Sequence, residues 1–231
     1  MIKGFIFDYG GTLDTGGQHW GKVIWHAYEQ LHVPVGEEAF RAAYVHAERT
    51  LGKNPIIHAD FTFRRTLEEK IRLQLEYLQQ ISRLSSHTSY LLPLTSHLYE
   101  ATQEETSHSR KVLLKLCKRY PMVLVSNFYG NISTVLKEFE FDDLFQTIIE
   151  SAVVGVRKPD PKIFMLGVEA LGLKPEEVIV VGDSMDKDMI PAHEAGCRTV
   201  WFKGEGWTSD PVDESIPDNI ITCLEQLLGI V

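Results

Sequence analysis

Short apolar runs that stop abruptly at a polar residue constrain this chain more than any other feature. "IKGFIFD" (2–8) stops at Asp8, "MVLVSN" (122–127) at Ser126-Asn127 and "VIVVGD" (178–183) at Asp183. "CRTVWF" (197–202) is a fourth run and "QTIIES" (146–151) a weaker fifth. Between and after them lie patterns of helical period, at 104–119, 131–139, 161–171, 187–195 and 218–228. Strands alternating with helices predict a parallel sheet covered on both faces, a three-layer Rossmann-like α/β fold. In such sheets the working crevice lies beyond the carboxyl ends of the strands, where Asp8, Ser126 and Asp183 fall.

Residues 15–95 read differently. They hold no clear strand, and in "FTFRRTLEEKIRLQLEYLQQI" (61–81) Leu67, Ile71, Leu75 and Leu78 recur at helical spacing. An all-helical insert is expected there, with a core made of 1–14 and 96–231. Gly16-Gly17 and Pro93 place its hinges near 14–17 and 92–103.

A net charge of −9 makes nucleic acid an unfavourable partner, because phosphate backbones need basic surfaces. No apolar run approaches the ~20 residues that span a bilayer, so no membrane partner is expected. The start "MIKGFIFD" lacks a secretory pattern, and a cytoplasmic location is the expectation. Cys117, Cys197 and Cys223, odd in number and far apart, read as buried thiols.

Four elements carry chemistry, in order: Asp8 and Thr12 in "DYGGT", Ser126-Asn127, Lys158 in "VRKPDPKIF", and Asp183 with Asp188 in "GDSMDKD". A strand-end aspartate can attack phosphorus and carry an aspartyl-phosphate. Asp8 and Asp183, from different strands, offer the oxygen ligands that Mg²⁺ prefers. The Ser126 hydroxyl and the Lys158 ammonium can neutralise phosphoryl oxygens, and Asp188 can orient Lys158. Taken singly, these are ordinary turn, cap and loop residues; the ordered set at strand ends is far more specific.

In "DYGGTL", "VSN", "RKPDPKIF" and "VVGDSMDKDMIPAHEAG" the chain resembles the haloacid dehalogenase-like hydrolases, over 1–14 and about 100–205. The resemblance implies Mg²⁺-dependent phosphoryl transfer through Asp8 on a small phosphorylated metabolite, with a cap inserted between the first two motifs. It implies that Thr12, Ser126 and Lys158 steady the phosphoryl group and that Gly11 and Asn127 contact substrate. Asp8, Asp183 and the Gly10 carbonyl are the implied metal ligands, with Asp188 in support.

Position 10 departs from the family. Phosphatases of this type carry a second aspartate two residues after the nucleophile, as acid for the leaving oxygen and base for the water. Gly10 supplies neither, and such help is typically worth ~10²–10⁴-fold. Asp14, Asp60 or His19 are possible replacements. A phosphonatase-type C–P hydrolase, using Lys22 or Lys53 as a Schiff base, and a phospho-ligand-binding protein without turnover are the rival readings. "GGQHWGKV" (16–23) imitates a phosphate loop but has Val23 where the motif needs Ser or Thr. His19, Trp20, Trp25 and His26 are candidates for the pocket wall, although helix core and surface are the simpler expectation. Arg64 and Arg65 are candidates for an anionic substrate tail, or for a solvated face.

Overall fold

The strand β1 (Gly4–Phe7) lies at the centre of a six-stranded, wholly parallel sheet. The computed structural model describes all residues except 82 and 85–87. The other strands are β2 (Met122–Ser126), β3 (Thr147–Glu150), β4 (Val178–Gly182), β5 (Arg198–Phe202) and β6 (Asn219–Ile221), in the spatial order β3-β2-β1-β4-β5-β6. The fold is therefore α/β, as the alternation of strands and helices predicts. Side chains of β1 alternate between the two faces, as the pleat requires. Phe5 and Phe7 pack with Leu113, Leu116 and Val135, whereas Ile6 packs with Phe164 and Val168.

The helices are α1 (Trp20–Gln30), α2 (Glu37–Lys53), α3 (Phe63–Gln80), α4 (Thr88–Leu116), α5 (Ile132–Glu138), α6 (Ser151–Val154), α7 (Lys162–Leu171) and α8 (Ile190–Glu194). Every described strand lies outside 15–95. The apolar cluster on the Phe5 and Phe7 face continues through Tyr9 and Leu13 to Ile24, Phe40, Leu67, Ile71 and Leu75 of α1 to α3. No described helix is long and apolar enough to cross a membrane.

Three expectations need correction. The helix expected at 104–119 begins much earlier, because α4 runs from Thr88 with Pro93 inside it. Pro93 falls in the second turn, where the missing N–H removes one internal bond without ending the helix. The helix expected at 218–228 is instead β6 followed by a short 3₁₀ turn over Leu224–Gly229. Gln226 Oε1 accepts the N–H groups of Thr222 and Cys223 and separates the two pieces. Of the three thiols only Cys197 is buried; Cys117 and Cys223 are exposed, and all are free.

The loop after β5 folds back over the helices. Glu205 O accepts the His19 N–H at 2.9 Å, and Trp207 O accepts Arg41 Nη2 at 2.9 Å. The Trp207 ring stands 4.9 Å from Tyr44 and 5.2 Å from His19. Gly21 makes room for it: a Cβ there would lie 2.2 Å from the indole.

Candidate active site

The acidic centre follows from strand register. Phe7 pairs with Val181, and Asp8 N–H donates to Val181 O at 3.0 Å, so the chain ends of β1 and β4 deliver Asp8 and Asp183 side by side. Carboxylate oxygens of Asp8, Asp183 and Asp188 lie within 4.8 Å of one another. The Thr12 hydroxyl sits behind them, 3.3 Å from Asp8 Oδ2 and 3.2 Å from Asp183 Oδ1. Gly11 is required on two counts. Its φ is +100°, and a Cβ would lie 2.5 Å from the Asp183 carboxylate.

Lys158 is the one cation inside this cluster among the described residues. Its Nζ donates to Asp8 Oδ1 at 2.5 Å and Asp188 Oδ1 at 2.7 Å. The Asn127 amide clamps its backbone reciprocally: Nδ2 donates to Lys158 O and Oδ1 accepts Lys158 N–H, both at 3.0 Å. Asp188 Oδ2 takes the Ser184 N–H, and Trp201 Nε1 donates to Asp183 O at 2.7 Å, so the loop after β4 is held from both sides. Burial pulls the Lys158 ammonium down, but Asp188 and Asp8 outweigh it and the group stays charged. Asp183 is pushed well above the usual carboxylate range, first by burial and then by Asp188 and Asp8. Two buried acids, Asp8 and Asp188, share one ammonium, and the half-buried Asp183 stands beside them without a cation of its own. That surplus of negative charge and the all-oxygen donor set fit a hard divalent cation such as Mg²⁺.

These groups open on a cavity of about 140 Å³. Asp8, Gly10, Ser126, Asn127, Lys158, Asp183 and Asp188 line one side. Gly11 and Thr12 do not reach the wall; they stand behind it, against the carboxylates. At Gly10 the nearest obstacle to a Cβ is Trp20 Cδ1, 4.0 Å away. A first side-chain carbon at this position would stand in open space beside an indole edge.

The match to a family model of haloacid dehalogenase-like hydrolases covers residues 2–196. The chain belongs to that family.

Among haloacid dehalogenase-like relatives, the glyceraldehyde 3-phosphate phosphatase of Pyrococcus furiosus is 38% identical over 130 residues, 55% of this chain and 54% of that protein. The chain thus spans about half the length of that relative. The phosphoglycolate phosphatase of Haemophilus influenzae strain 86-028NP is 28% identical over 163 residues, 70% of each chain. Among solved structures, the HAD-hydrolase YfnB of Bacillus subtilis, bound to magnesium, superposes with a TM-score of 0.61 at 16% identity, covering 99% of this chain and 98% of that one. This likeness speaks for the fold.

The cavity is also lined by His19, Trp20, Tyr44, Glu48, Lys70 and Tyr129. Glu48, Lys70 and Tyr129 were not picked out from the sequence. Lys70 interrupts the apolar stripe of α3 between Leu67 and Ile71, which was the available signal. His19 Nδ1 accepts the Gly21 N–H at 3.0 Å, and burial, then nearby Lys187, lowers its pKa to about 4. It is neutral at physiological pH and cannot stand in as a protonated acid for Gly10. Lys22 is paired with Glu37 and Glu205, each at 3.5 Å, and Lys53 lies in a separate surface groove with Arg49. Neither reaches this cavity, nor do Asp60, Trp25 or His26. Arg64 donates to Ser96 Oγ, and Arg65 covers the Phe61 ring at 4.0 Å; both belong to the helix face.

Asp14 is buried on the cavity wall, accepting Gly11 N–H at 2.7 Å and Trp20 Nε1–H at 2.9 Å. Burial pushes its carboxyl up from 3.8 to about 7, against the pull of those two donors. Between about pH 4 and pH 7 the folded state then holds a proton that the unfolded state has lost. Stability contributed by this group is present below its unfolded pKa and is lost as pH rises through the folded one. The expected result is a fall of order a few kcal/mol across that window. Asp14→Asn, although it matches only one of the two donors, should flatten the slope. Urea denaturation of both proteins at pH 5 and pH 8 measures it; parallel losses in the two would exclude Asp14 as the source.

Proposed function

We propose that this protein is a Mg²⁺-dependent phosphatase of small phosphorylated metabolites, acting through an aspartyl-phosphate on Asp8. The observation that carries the reading is the Lys158 ammonium 2.5 Å from the Asp8 carboxylate, beside Asp183, on the wall of a small cavity. The named activities of the phosphatase relatives support the class of substrate. In this reading residues 15–95 act as a cap over a core of 1–14 and 96–231, and the protein works in the cytoplasm.

Asp8, Asp183 and the Gly10 carbonyl would hold the metal, which when bound neutralises the phosphoryl oxygens and the nucleophile's charge. Lys158 and Ser126 hold the same oxygens from the other side, and Asp188 keeps Lys158 aimed. Thr12 fixes the two carboxylates to each other, and Asn127 fixes the Lys158 backbone. An Asp8 oxygen forms a bond to phosphorus as the ester oxygen departs. Water then attacks the acyl phosphate and releases inorganic phosphate with Asp8 restored. The departing oxygen takes its proton from solvent, because Gly10 has none to give. C–P cleavage through an imine needs a neutral amine. Lys70, a lysine of the cavity lining, is held protonated: burial lowers its pKa but Glu48 raises it further.

An assay over aryl phosphates, alkyl phosphates, an acyl phosphate and phosphonates, with and without Mg²⁺, tests this. Turnover of phosphate esters only with Mg²⁺ is expected. Mg²⁺ at about 100 times its Kd should also stabilise the folded protein by about 2.7 kcal/mol, and Asp183→Asn should remove that shift. Phosphonate turnover alone, or a melting temperature that ignores Mg²⁺, would overturn the reading.

A further inference from the structure

One part of the cavity lining gathers unspent donors. Tyr44 of α2 is 8% exposed, and its hydroxyl has no hydrogen-bond partner among the described residues. Polar groups buried to this degree normally find one. Burial first, then Glu48, keeps that hydroxyl protonated. His19 stands beside it, with the two ring centroids 6.0 Å apart and Trp207 against both. His19 Nδ1 accepts the Gly21 N–H and the ring is neutral, so its proton sits on Nε2, a second donor without a protein partner among the described residues. The third donor is Lys187, in the turn Met185–Met189. It lines the same cavity and has no ion-pair partner among the described residues. Its charge acts on this part of the lining. After burial it is the largest influence lowering the His19 pKa, and it joins Lys70 and Tyr129 in holding Glu48 below its ordinary value against burial.

We propose that Lys187, Tyr44 and His19 form a carboxylate subsite, and that the site selects phosphate esters of short hydroxy acids over esters ending in a hydroxyl or carbonyl. The inference rests on the phosphatase reading for the phosphoryl end of the substrate. The other charges of the lining already have partners. Lys158 serves Asp8 and Asp188, and Lys70 lies 2.8 Å from Glu48 Oε1. Asp14 accepts from Gly11 and Trp20. A divalent cation together with Lys158 balances Asp8, Asp183 and Asp188, and Lys70 balances Glu48, so the Lys187 ammonium is the charge left over. A carboxylate has two oxygens and no hydrogen. It accepts from the Tyr44 hydroxyl and His19 Nε2–H and pairs with Lys187, and charge-assisted hydrogen bonds of this kind are the strong ones. A hydroxyl or aldehyde oxygen leaves part of the donor set unused and gains little from the surplus charge. Lys187 is exposed, so its pull is screened by salt, whereas the donation from buried Tyr44 is screened much less. A cavity of about 140 Å³ suits a short chain between the two ends.

The test compares 3-phosphoglycerate with glycerol 3-phosphate and glyceraldehyde 3-phosphate, esters of one carbon skeleton, on the Mg²⁺-loaded full chain. Wild type should prefer 3-phosphoglycerate by about tenfold or more in kcat/KM, carried by KM rather than kcat. Lys187→Met should narrow that ratio to about threefold or less, and Lys187→Arg should retain most of it. Tyr44→Phe, which deletes only the hydroxyl, should narrow it by about threefold or more. Lys187 is exposed, so its variants should fold and decide the matter if Tyr44→Phe does not. Equal wild-type values, a preference for either uncharged end, or a ratio unmoved by Lys187→Met or by Tyr44→Phe overturns the proposal. An aryl phosphate without a carboxylate separates the two readings. If wild type fails to hydrolyse it, the phosphatase reading falls, and calorimetric Kd values of the three esters for wild type and Lys187→Met still decide the carboxylate subsite.

Discussion

Asp8→Asn is expected to lower kcat on an aryl phosphate by about 10⁴-fold or more, with the fold retained. The substitution keeps the shape, and the amide oxygen can still accept from Lys158 while the amide nitrogen, in place of the second oxygen, faces the Thr12 hydroxyl as a donor, but the side chain cannot form the acyl phosphate. Lys158 keeps Asp188 at 2.7 Å, so it is not left as an unpaired buried charge. Asp183, pushed upward partly by Asp8, loses one of its anionic neighbours. The metal-free variant should therefore unfold at a temperature no lower than wild type. Acid-quenched wild type should carry a phosphoryl group on the peptide that contains Asp8, and the variant should carry none. A variant that keeps more than a tenth of wild-type turnover would remove Asp8 from the nucleophile's place.

Gly10→Asp is expected to raise turnover of alkyl phosphates by up to ~10²-fold, the low end of what a positioned acid and base contribute. The structure removes the main steric objection. Gly10 is not in the left-handed region, and a Cβ there meets nothing nearer than Trp20 Cδ1 at 4.0 Å. Aryl and acyl phosphates depart without a proton and should gain much less. Wild type should accordingly favour those substrates. It should also show a burst of product, because water attack on the aspartyl-phosphate lacks a base. Equal wild-type rates on alkyl and aryl esters, with no gain from Gly10→Asp, would mean that another group does the acid's work. Asp14 would then be the first to mutate, since it shares the cavity wall and is held near neutrality.

The sheet and its acidic centre were legible because each working strand is fully buried and stops at the residue that matters. Phe5-Ile6-Phe7 ends at Asp8, Val123 to Val125 at Ser126, and Val178 to Val181 one glycine before Asp183. The Glu48–Lys70 pair on the cavity lining was not legible. Glu48 and Lys70 sit on different helices, and only the packing of α2 against α3 brings them to 2.8 Å. Apolar period shows which face of a helix is inward, not which charged neighbour it will meet. β6 was missed because three residues at a sheet edge carry too little pattern to outweigh the helical spacing that follows. Thr12 and Asn127 were found for the right loops, yet their atoms serve carboxylates and a backbone that only the three-dimensional arrangement places beside them.

The central position of β1 has a consequence for how the chain acquires its structure. Phe5 pairs with Met122 and Gly4 with Val178, so the first strand made is flanked by strands made much later. Helices α1 to α4 can gather locally, but the sheet cannot close until the second half of the chain arrives. Loop closure over such spans must precede the contacts that reward it, which makes parallel pairing slow. Until then Phe5, Ile6 and Phe7, all fully buried at the end, stand without strand partners. An amino-terminal fragment ending before Met122 should therefore self-associate, and the acidic centre, which needs β1 and β4 side by side, is among the last features of the fold to form.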